Sequence, residues 1–388
     1  MTYRVLSLDG GGAWALLQAR ALEAVYGDIP GRAILARFDL AVANSGGSIV
    51  LGGLVENKSP TQIADLFLQQ ANRAAIFAKT NLIENLLSHI PIFPRYSAAG
   101  KLRGLTNVFG AQGATPLSAF SGASWVQGPN GGDVKLMIAA FHYDEMRAAL
   151  FRSYGTAHGA TANDIPLVQA VHASSDAPVE FFDAPTVWAG HRYWDGAMAG
   201  LNNPLLAGVI DLMGEGVRAQ DIVCLSLGTG TVRLAPPNAG APAALTQATQ
   251  TPGVISDLGK AAGCITDDPP DMASFTTHVM LASARDADPT ALGWLVRLSP
   301  MVTPLPPAGG QGWVVPPGLT PDQFHGLATL SMDAVEQDQV ALIDALATCW
   351  IQGDDPINQP IRVDWDDPAN ALGERTFSAA KARWLAIS

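Results

Sequence analysis

The sequence predicts an α/β fold, a three-layer sandwich in which a mostly parallel central sheet is flanked by helices. The first observation is an alternation of short β-rich runs with helical patterns through the first half of the chain, which is typical of parallel sheets covered on both faces. The second is size. The chain has 388 residues, 48% of them hydrophobic, which is ample for a large buried core.

The first half supplies the predicted strands and helices in order. Residues 3–8 and 38–43 are strand candidates, and residues 13–26 and 48–56 have helical patterns. Later strand candidates are residues 134–143, 191–194 and 221–227, the last followed by the glycine turn Gly228-Thr229-Gly230. These elements form the predicted sheet core.

The second half predicts a cover on that core. Residues 234–253 are rich in Ala, Pro, Gly and Thr and carry no charge, which indicates a flexible surface loop or a lid over the site. Residues 304–317 form a second such stretch. A helix is predicted over 334–350, opened by Asp333 with Glu336 as a capping box. We therefore expect a catalytic core at 1–233 and a C-terminal extension of loops and helices at 234–388, packed on the same domain.

Composition and charge exclude several classes of protein. Acidic residues outnumber basic ones by 35 to 23, a net charge of −12, so a nucleic-acid partner is not expected and anionic lipid is not attracted. Three cysteines without CxxC spacing indicate neither a disulfide framework nor a zinc site. No signal peptide and no long apolar run are visible. These features predict a soluble, cytoplasmic protein without a membrane span, although secretion by a route that uses no signal peptide stays open.

Ser45 is the candidate nucleophile. It stands between the predicted strand at 38–43 and a helix, in the segment Ala43-Asn44-Ser45-Gly46-Gly47. A nucleophile elbow needs small residues on both sides of a serine that sits in a strained backbone conformation. Alanine at position 43 departs from G-x-S-x-G by one methyl group. A serine in an ordinary glycine-rich turn would give the same local pattern.

A triple glycine after the first strand is the candidate oxyanion loop. Gly10, Gly11 and Gly12 follow Asp9 and open the first helix, so their N–H groups can converge on a developing oxyanion, with Gly46 N–H as a further donor. Asp9 itself is expected to cap or brace this loop. The same glycines also form a loose dinucleotide-binding fingerprint, but the second strand does not end in the acidic residue that a ribose requires.

Asp195 is the candidate base, in the turn Trp194-Asp195-Gly196-Ala197 that follows a short strand. An Asp-Gly dipeptide alone is usually a structural turn. A histidine is the alternative candidate for the base. His172 has an apolar helical context and His191 lies four residues before Asp195, so core packing and a surface strand position are the expected roles.

Together these motifs resemble patatin-like phospholipases, as a divergent member of bacterial type. The glycine loop, the Ser45 elbow and the Asp195 turn occur in the family's order, with 195 − 45 = 150 residues between serine and aspartate. Supporting segments are His172-Ala-Ser-Ser-Asp-Ala-Pro-Val-Glu-Phe-Phe, Asn202-Asn203-Pro204 and Leu225-Ser-Leu-Gly-Thr-Gly. Ala13-Trp14-Ala15 departs from the family, which usually has a basic residue and then glycine there. That departure puts recognition of an anionic phosphate in doubt.

The resemblance implies a Ser-Asp dyad that cleaves carboxylic esters of lipids without metal or cofactor. Asp195 would accept the Ser45 proton, and water would later release the acyl group. Three readings stay open: a lipid acyl hydrolase of the phospholipase A type, a small-molecule carboxylesterase or acyltransferase, and a non-catalytic lipid-binding relative. The expected partner is a lipid or another ester, which the protein would bind at a membrane surface or in solution. The sequence gives no prediction about a protein activator.

Overall fold

The computed structural model describes residues 1–79, 94–157, 159, 161–178, 181–235, 237, 239–249, 269–288, 290–304, 313, 315, 318–362 and 371–388. Ten strands lie in these residues: β1 Tyr3–Leu8, β2 Leu40–Ala43, β3 Lys135–His142, β4 Arg147–Arg152, β5 Thr186–Trp188, β6 His191–Asp195, β7 Ile222–Leu227, β8 Thr231–Val232, β9 Leu295–Leu298 and β10 Met301–Val302.

Twelve α-helices accompany the strands in the described part of the chain. They are α1 Leu16–Tyr26, α2 Gly31–Leu35, α3 Ser45–Val55, α4 Pro60–Leu68, α5 Gln70–Ile76, α6 Ala98–Gly113, α7 Leu167–Ser175, α8 Leu205–Gly214, α9 Pro269–Ser283, α10 Pro321–Thr329, α11 Gln337–Gln352 and α12 Phe377–Ile387. None of the helices in the described ranges is long and apolar enough to cross a membrane.

A mixed, mostly parallel sheet forms the centre of the molecule. Its strand order is β5-β6-β3-β2-β1-β7-β9, and β4 pairs with β3 beside this path. The pairs from β3 through β2, β1 and β7 to β9 are parallel, whereas β3, β4, β5 and β6 pair antiparallel. The predicted α/β class with a mostly parallel sheet between helices is therefore confirmed.

The central strands are buried along their whole length because helices cover them. Every residue of β2, β7 and β9 is buried, as expected for parallel strands with both faces packed. Gly208 of α8 packs onto Leu40 and Val42 so closely that a Cβ there would lie 2.9 Å from a Val42 methyl group. The sheet is thus a rigid support for the loops at its edges.

The predicted elements of the core agree with the structure to within a few residues. The strand at 3–8 is confirmed, and the helix predicted from residue 13 consists of a 3₁₀ turn, Gly12–Ala15, followed by α1. Helix α3 begins at Ser45, three residues before the predicted start. This difference matters because it places Ser45 in the first turn of the helix.

The C-terminal half differs from prediction in two ways. Strand β9, not predicted, extends the central sheet by pairing with β7, so residues beyond 233 contribute a strand as well as helices. The predicted capping box at Asp333 is wrong: α11 begins at Gln337, with Glu336 as its N-cap. Asp333 instead accepts hydrogen bonds from Arg95 and the Tyr96 hydroxyl. The boundary at 233/234 stays a prediction.

Candidate active site

Ser45 lies at a sharp corner between β2 and α3. Asn44 is still extended, whereas Ser45 has a φ of 48°, a left-handed conformation that costs free energy for a residue with a side chain. The Ser45 N–H donates to Ser174 Oγ at 2.9 Å. Only 7% of Ser45 is exposed. The corner is the strand–turn–helix geometry of a nucleophile elbow.

The two glycines after Ser45 are required by close backbone approach. A Cβ on Gly46 would lie 2.5 Å from Gly12 O, and one on Gly47 would lie 2.4 Å from Leu8 O. Any side chain at either position would push α3 away from the loop that follows β1. The sequence thus has glycine where the corner and the glycine loop touch.

Asp195 lies at the end of β6, facing the corner. Strand pairing with β3 and a hydrogen bond from its N–H to Asp176 O, at 2.8 Å, fix its backbone. Its Oδ1 accepts from Ala197 N–H at 2.9 Å and from Asn44 Nδ2 at 3.1 Å. The Ser45 side chain is near enough to this carboxylate to lower its pKa. The structure therefore brings Ser45 and Asp195 together, 150 residues apart in sequence.

The pKa of Asp195 is raised above its ordinary value. Burial is the main cause, because only 4% of the residue is exposed and burial disfavours the charged form. The nearby Ser45 side chain, the hydrogen bonds from Ala197 and Asn44, and the charge of Lys101 act in the opposite direction. The net result is a carboxylate more basic than an exposed aspartate.

The glycine loop passes directly over Gly46. The N–H of Gly12 would lie 2.9 Å from a Cβ on Gly46, and among the described residues the N–H groups of Gly11, Gly12 and Gly46 have no acceptor. The N–H of Gly10, by contrast, donates to Asn202 O at 2.8 Å. Contrary to the sequence-based expectation, this N–H is already used within the protein, and Gly10 shapes the loop instead.

An apolar pocket adjoins Ser45. Its walls come from α3, α5 and the segments near residues 181 and 332, and its volume is about 20 Å³. We call it the apolar pocket; the side chains that line it besides Ser45 are Ile49, Ile76, Phe77, Lys101, Ser175, Ala177, Phe181, Phe182 and Met332. A cavity of this size holds little more than one water molecule.

Lys101 is the one cation among those wall residues. It is 1% exposed, with Nζ 3.0 Å from Asp176 Oδ1 and 4.0 Å from the centroid of the Phe182 ring. Burial lowers its pKa, and the ion pair with Asp176 opposes that shift. Nothing in the sequence around Lys101 pointed to this position, because the lysine meets Asp176 only through the packing of α6 against α7.

We expect Lys101→Met to lower the free energy of unfolding by about 3 kcal/mol, because it leaves the buried Asp176 carboxylate without its counter-ion. Urea denaturation measures the change. Arg103→Met is the matched control, since Arg103 lies two residues away on the same helix and is exposed. Equal effects of the two substitutions would contradict the assignment of a stabilising buried pair.

The histidines near these motifs occupy structural positions. His172 is buried, with its ring nitrogens bonded to Ala98 O and to the Thr186 hydroxyl, and burial lowers its pKa to about 4. His191 is exposed on β6 and its ring packs against His142. Both positions agree with the structural roles expected from the sequence.

The fold and this corner define an α/β protein with a strand–turn–helix elbow at the carboxyl edge of a mostly parallel sheet. The sequence model of the patatin-like phospholipase family matches residues 6–209. That match covers more than half of the chain, so the chain belongs to the patatin-like phospholipase family, as the motifs indicated. Family membership implies a lipid acyl hydrolase, an enzyme that acts on carboxylic esters.

Comparisons with individual proteins add little beyond the family. No curated protein matches the chain. Among solved structures, VipD from Legionella pneumophila is similar over 89% of this chain, with 12% sequence identity and a TM-score of 0.36. The matched part is 66% of the VipD chain, so this chain spans less than two thirds of that protein's length.

Proposed function

We propose that this protein is a serine acyl hydrolase in which Ser45 is the nucleophile and Asp195 the general base. The observation that carries the proposal is the nearness of the Ser45 side chain to the buried Asp195 carboxylate, at a corner where Ser45 is held at positive φ. Asn44, the residue before Ser45, donates a hydrogen bond to the same carboxylate. A nucleophile within reach of a base is the arrangement that covalent catalysis requires.

The reaction follows from the positions of these groups. Asp195 accepts the Ser45 hydroxyl proton while Oγ forms a bond to the ester carbonyl carbon, and the carbonyl oxygen becomes an oxyanion. As the C–O bond to the alcohol breaks, the proton passes from Asp195 to the leaving alcohol. Water, deprotonated by Asp195, then attacks the acyl-serine and releases the carboxylic acid and free Ser45.

The oxyanion is proposed to receive hydrogen bonds from the N–H groups of Gly11, Gly12 and Gly46. No described acceptor uses these three N–H groups. Gly46 N–H belongs to the first turn of α3, where the positive end of the helix adds to the attraction. Donors fixed in place before the reaction stabilise the transition state because they need no rearrangement.

We expect Gly46→Ala to lower kcat by about 100-fold or more, in the range found for loss of an oxyanion donor. The added methyl group would lie 2.5 Å from Gly12 O and displace the glycine loop. Steady-state kinetics on p-nitrophenyl butyrate measures the effect. Gly132→Ala is the control, since a Cβ there meets nothing within 4 Å; an unchanged kcat in Gly46→Ala would remove the loop from the proposal.

An active-site label tests the proposal most directly. A fluorophosphonate probe phosphonylates an activated serine, and peptide mass spectrometry then identifies the modified residue. We expect labelling at Ser45 and none in Asp195→Asn. Labelling of a different serine would overturn the assignment, and an unlabelled, folded protein would support the non-catalytic, lipid-binding alternative.

The preferred acyl chain length distinguishes a lipid acyl hydrolase from a small-molecule carboxylesterase. The apolar pocket has a volume of about 20 Å³, which is too small for an acyl chain of either class of substrate, so kinetics must separate the two hypotheses. Hydrolysis of p-nitrophenyl esters from butyrate to palmitate, with and without vesicles, distinguishes them. A maximum at butyrate without vesicles favours the esterase, whereas activation by vesicles with long chains favours the lipid acyl hydrolase.

A further inference from the structure

A second cavity lies next to the candidate active site but outside it. Its volume is about 220 Å³, and Asp9, Gly10, Gly11 and Thr229 form part of its wall. We call it the polar cavity. Met332 lines both this cavity and the apolar pocket beside Ser45, so the two spaces meet at the glycine loop. Of the residues that line the polar cavity, the mechanism proposed above uses only Gly11.

One carboxylate oxygen in this wall has no partner. Asp9 is 2% exposed, and its Oδ2 accepts a hydrogen bond of 2.5 Å from Arg297. Arg297 also donates to Ser226 Oγ at 2.7 Å. Asp9 Oδ1 is buried and accepts no hydrogen bond from the described residues. Because buried polar atoms are nearly always hydrogen-bonded, we expect Oδ1 to accept from a donor that the described residues do not supply.

The pKa of Asp9 is consistent with a carboxylate that lacks a hydrogen-bond donor at Oδ1. Burial raises its pKa to about 6, and the charge and hydrogen bond of Arg297 only partly oppose the shift. A second donor to the carboxylate would stabilise the ionised form and lower that pKa. In the part of the chain that the structure describes, no residue supplies this second donor.

The charges around the polar cavity select against a charged ligand. Asp9 and Asp271 carry two negative charges, and Arg233 and Arg297 carry two positive ones. A phosphate group would face both carboxylates, and a quaternary amine would face both guanidinium groups. Neutral hydroxyl groups avoid either repulsion, and each can donate one hydrogen bond and accept others.

We propose that the polar cavity binds a neutral, hydroxyl-rich group, a polyol, with one hydroxyl donating to Asp9 Oδ1. The polyol has two sources. It is the alcohol part of the ester that Ser45 cleaves, in which case the inference rests on the proposed function, or it is a free polyol that binds beside the glycine loop. The hydroxyl-rich chemistry is the same in both cases.

Direct binding tests the proposal without any need for catalysis. Saturation-transfer NMR on the Ser45→Ala protein is carried out with glycerol, myo-inositol and galactose, and with inorganic phosphate and choline chloride for comparison. We expect at least one polyol to bind and both charged compounds to bind at least tenfold more weakly. Binding of no polyol would overturn the proposal and leave a cavity filled by solvent.

A blocking substitution locates the bound polyol. Thr231 lines the polar cavity, and its side chain makes no hydrogen bond to the described residues, so Thr231→Phe takes up space in the cavity while Asp9 and Arg297 are kept. We expect Thr231→Phe to weaken polyol binding at least tenfold and Thr106→Phe, at an exposed position of α6, to leave it unchanged. Equal polyol binding by the two variants would contradict the assignment of the polar cavity as the binding site.

A second measurement applies even when Thr231→Phe fails to fold. The Asp9 carboxyl carbon is followed by NMR during a pH titration of the otherwise unaltered chain. A bound polyol is expected to lower the pKa of Asp9 from about 6, because a hydroxyl that donates to Oδ1 favours the ionised form. An unchanged pKa at a saturating polyol concentration would overturn the contact with Asp9.

Kinetics then separates the two sources of the polyol. If the cavity holds the alcohol part of the substrate, Thr231→Phe raises KM for glycerol monobutyrate at least tenfold more than KM for p-nitrophenyl butyrate. If it holds a free polyol, the two KM values change equally while binding is lost. Failure of the proposed hydrolase function appears as no turnover of either ester, and the binding result stands independently.

Discussion

The Ser45→Ala variant is expected to lose roughly 10⁴- to 10⁶-fold in kcat/KM for p-nitrophenyl butyrate, the range seen when a serine nucleophile is removed from other hydrolases. Alanine keeps the backbone of the corner but has no oxygen to form the acyl-enzyme. Without a nucleophile the remaining groups only bind and polarise the ester, which accounts for the small residual rate.

The loss must be separated from damage to the fold. Ser153→Ala is the matched control, because Ser153 is also buried and its hydroxyl has a structural role, accepting a hydrogen bond from Leu136 N–H. Thermal unfolding of both variants is compared with that of the wild type. If Ser45→Ala kept more than a few per cent of the wild-type rate while folded, the nucleophile would be another residue.

Ser45 and the glycines around it could be predicted from sequence because their geometry is local. The predicted strand ends at Ala43 and the predicted helix begins at residue 48, so the few residues between them must turn sharply. Gly46 and Gly47 are in close contact with the backbone of Gly12 and Leu8. Such contacts leave no space for a side chain, so they require glycine, which is visible in the sequence. Local geometry of this kind leaves a readable pattern.

The polar surroundings of the corner could not be predicted in the same way. Ser174 accepts the Ser45 N–H, and Lys101 pairs with Asp176 behind it, through contacts that exist only once α6 and α7 pack together. Lys101 stands in an ordinary helical stretch, and no spacing marks it. Strand β9 and the N-cap at Glu336 were missed for a related reason, since long-range pairing and competing partners for Asp333 decide them.

The glycine loop supplies fewer free N–H donors than its sequence motif predicts. Three glycines in a row suggest three equivalent N–H donors, yet Gly10 N–H donates to Asn202 O. The Gly10 carbonyl also accepts from the Thr229 hydroxyl at 2.6 Å. Asn202 and Thr229 lie near the starts of the segments after β6 and β7, so the loop is held by partners that are remote in sequence.

The second large effect is expected for Asp195→Asn, which should lower kcat/KM for p-nitrophenyl butyrate by roughly 10⁴-fold, as in serine hydrolases deprived of a triad member. The amide has nearly the same shape as the carboxylate but cannot accept the Ser45 proton. Asp144→Asn is the control, because Asp144 is paired with Arg192 and outside the corner. Equal losses in the two variants would indicate a general effect of lost charge.

The pH profile identifies Asp195 as the base more specifically than the rate alone. A general base must be ionised, so wild-type kcat/KM should rise with pH and level off above the pKa of Asp195. Because burial raises that pKa, the midpoint should lie above the ordinary value near 3.9. The residual rate of Asp195→Asn should lack this limb, whereas Asp144→Asn should keep it. A limb that persisted in Asp195→Asn would assign the proton acceptor to a different group, even if the variant were slow.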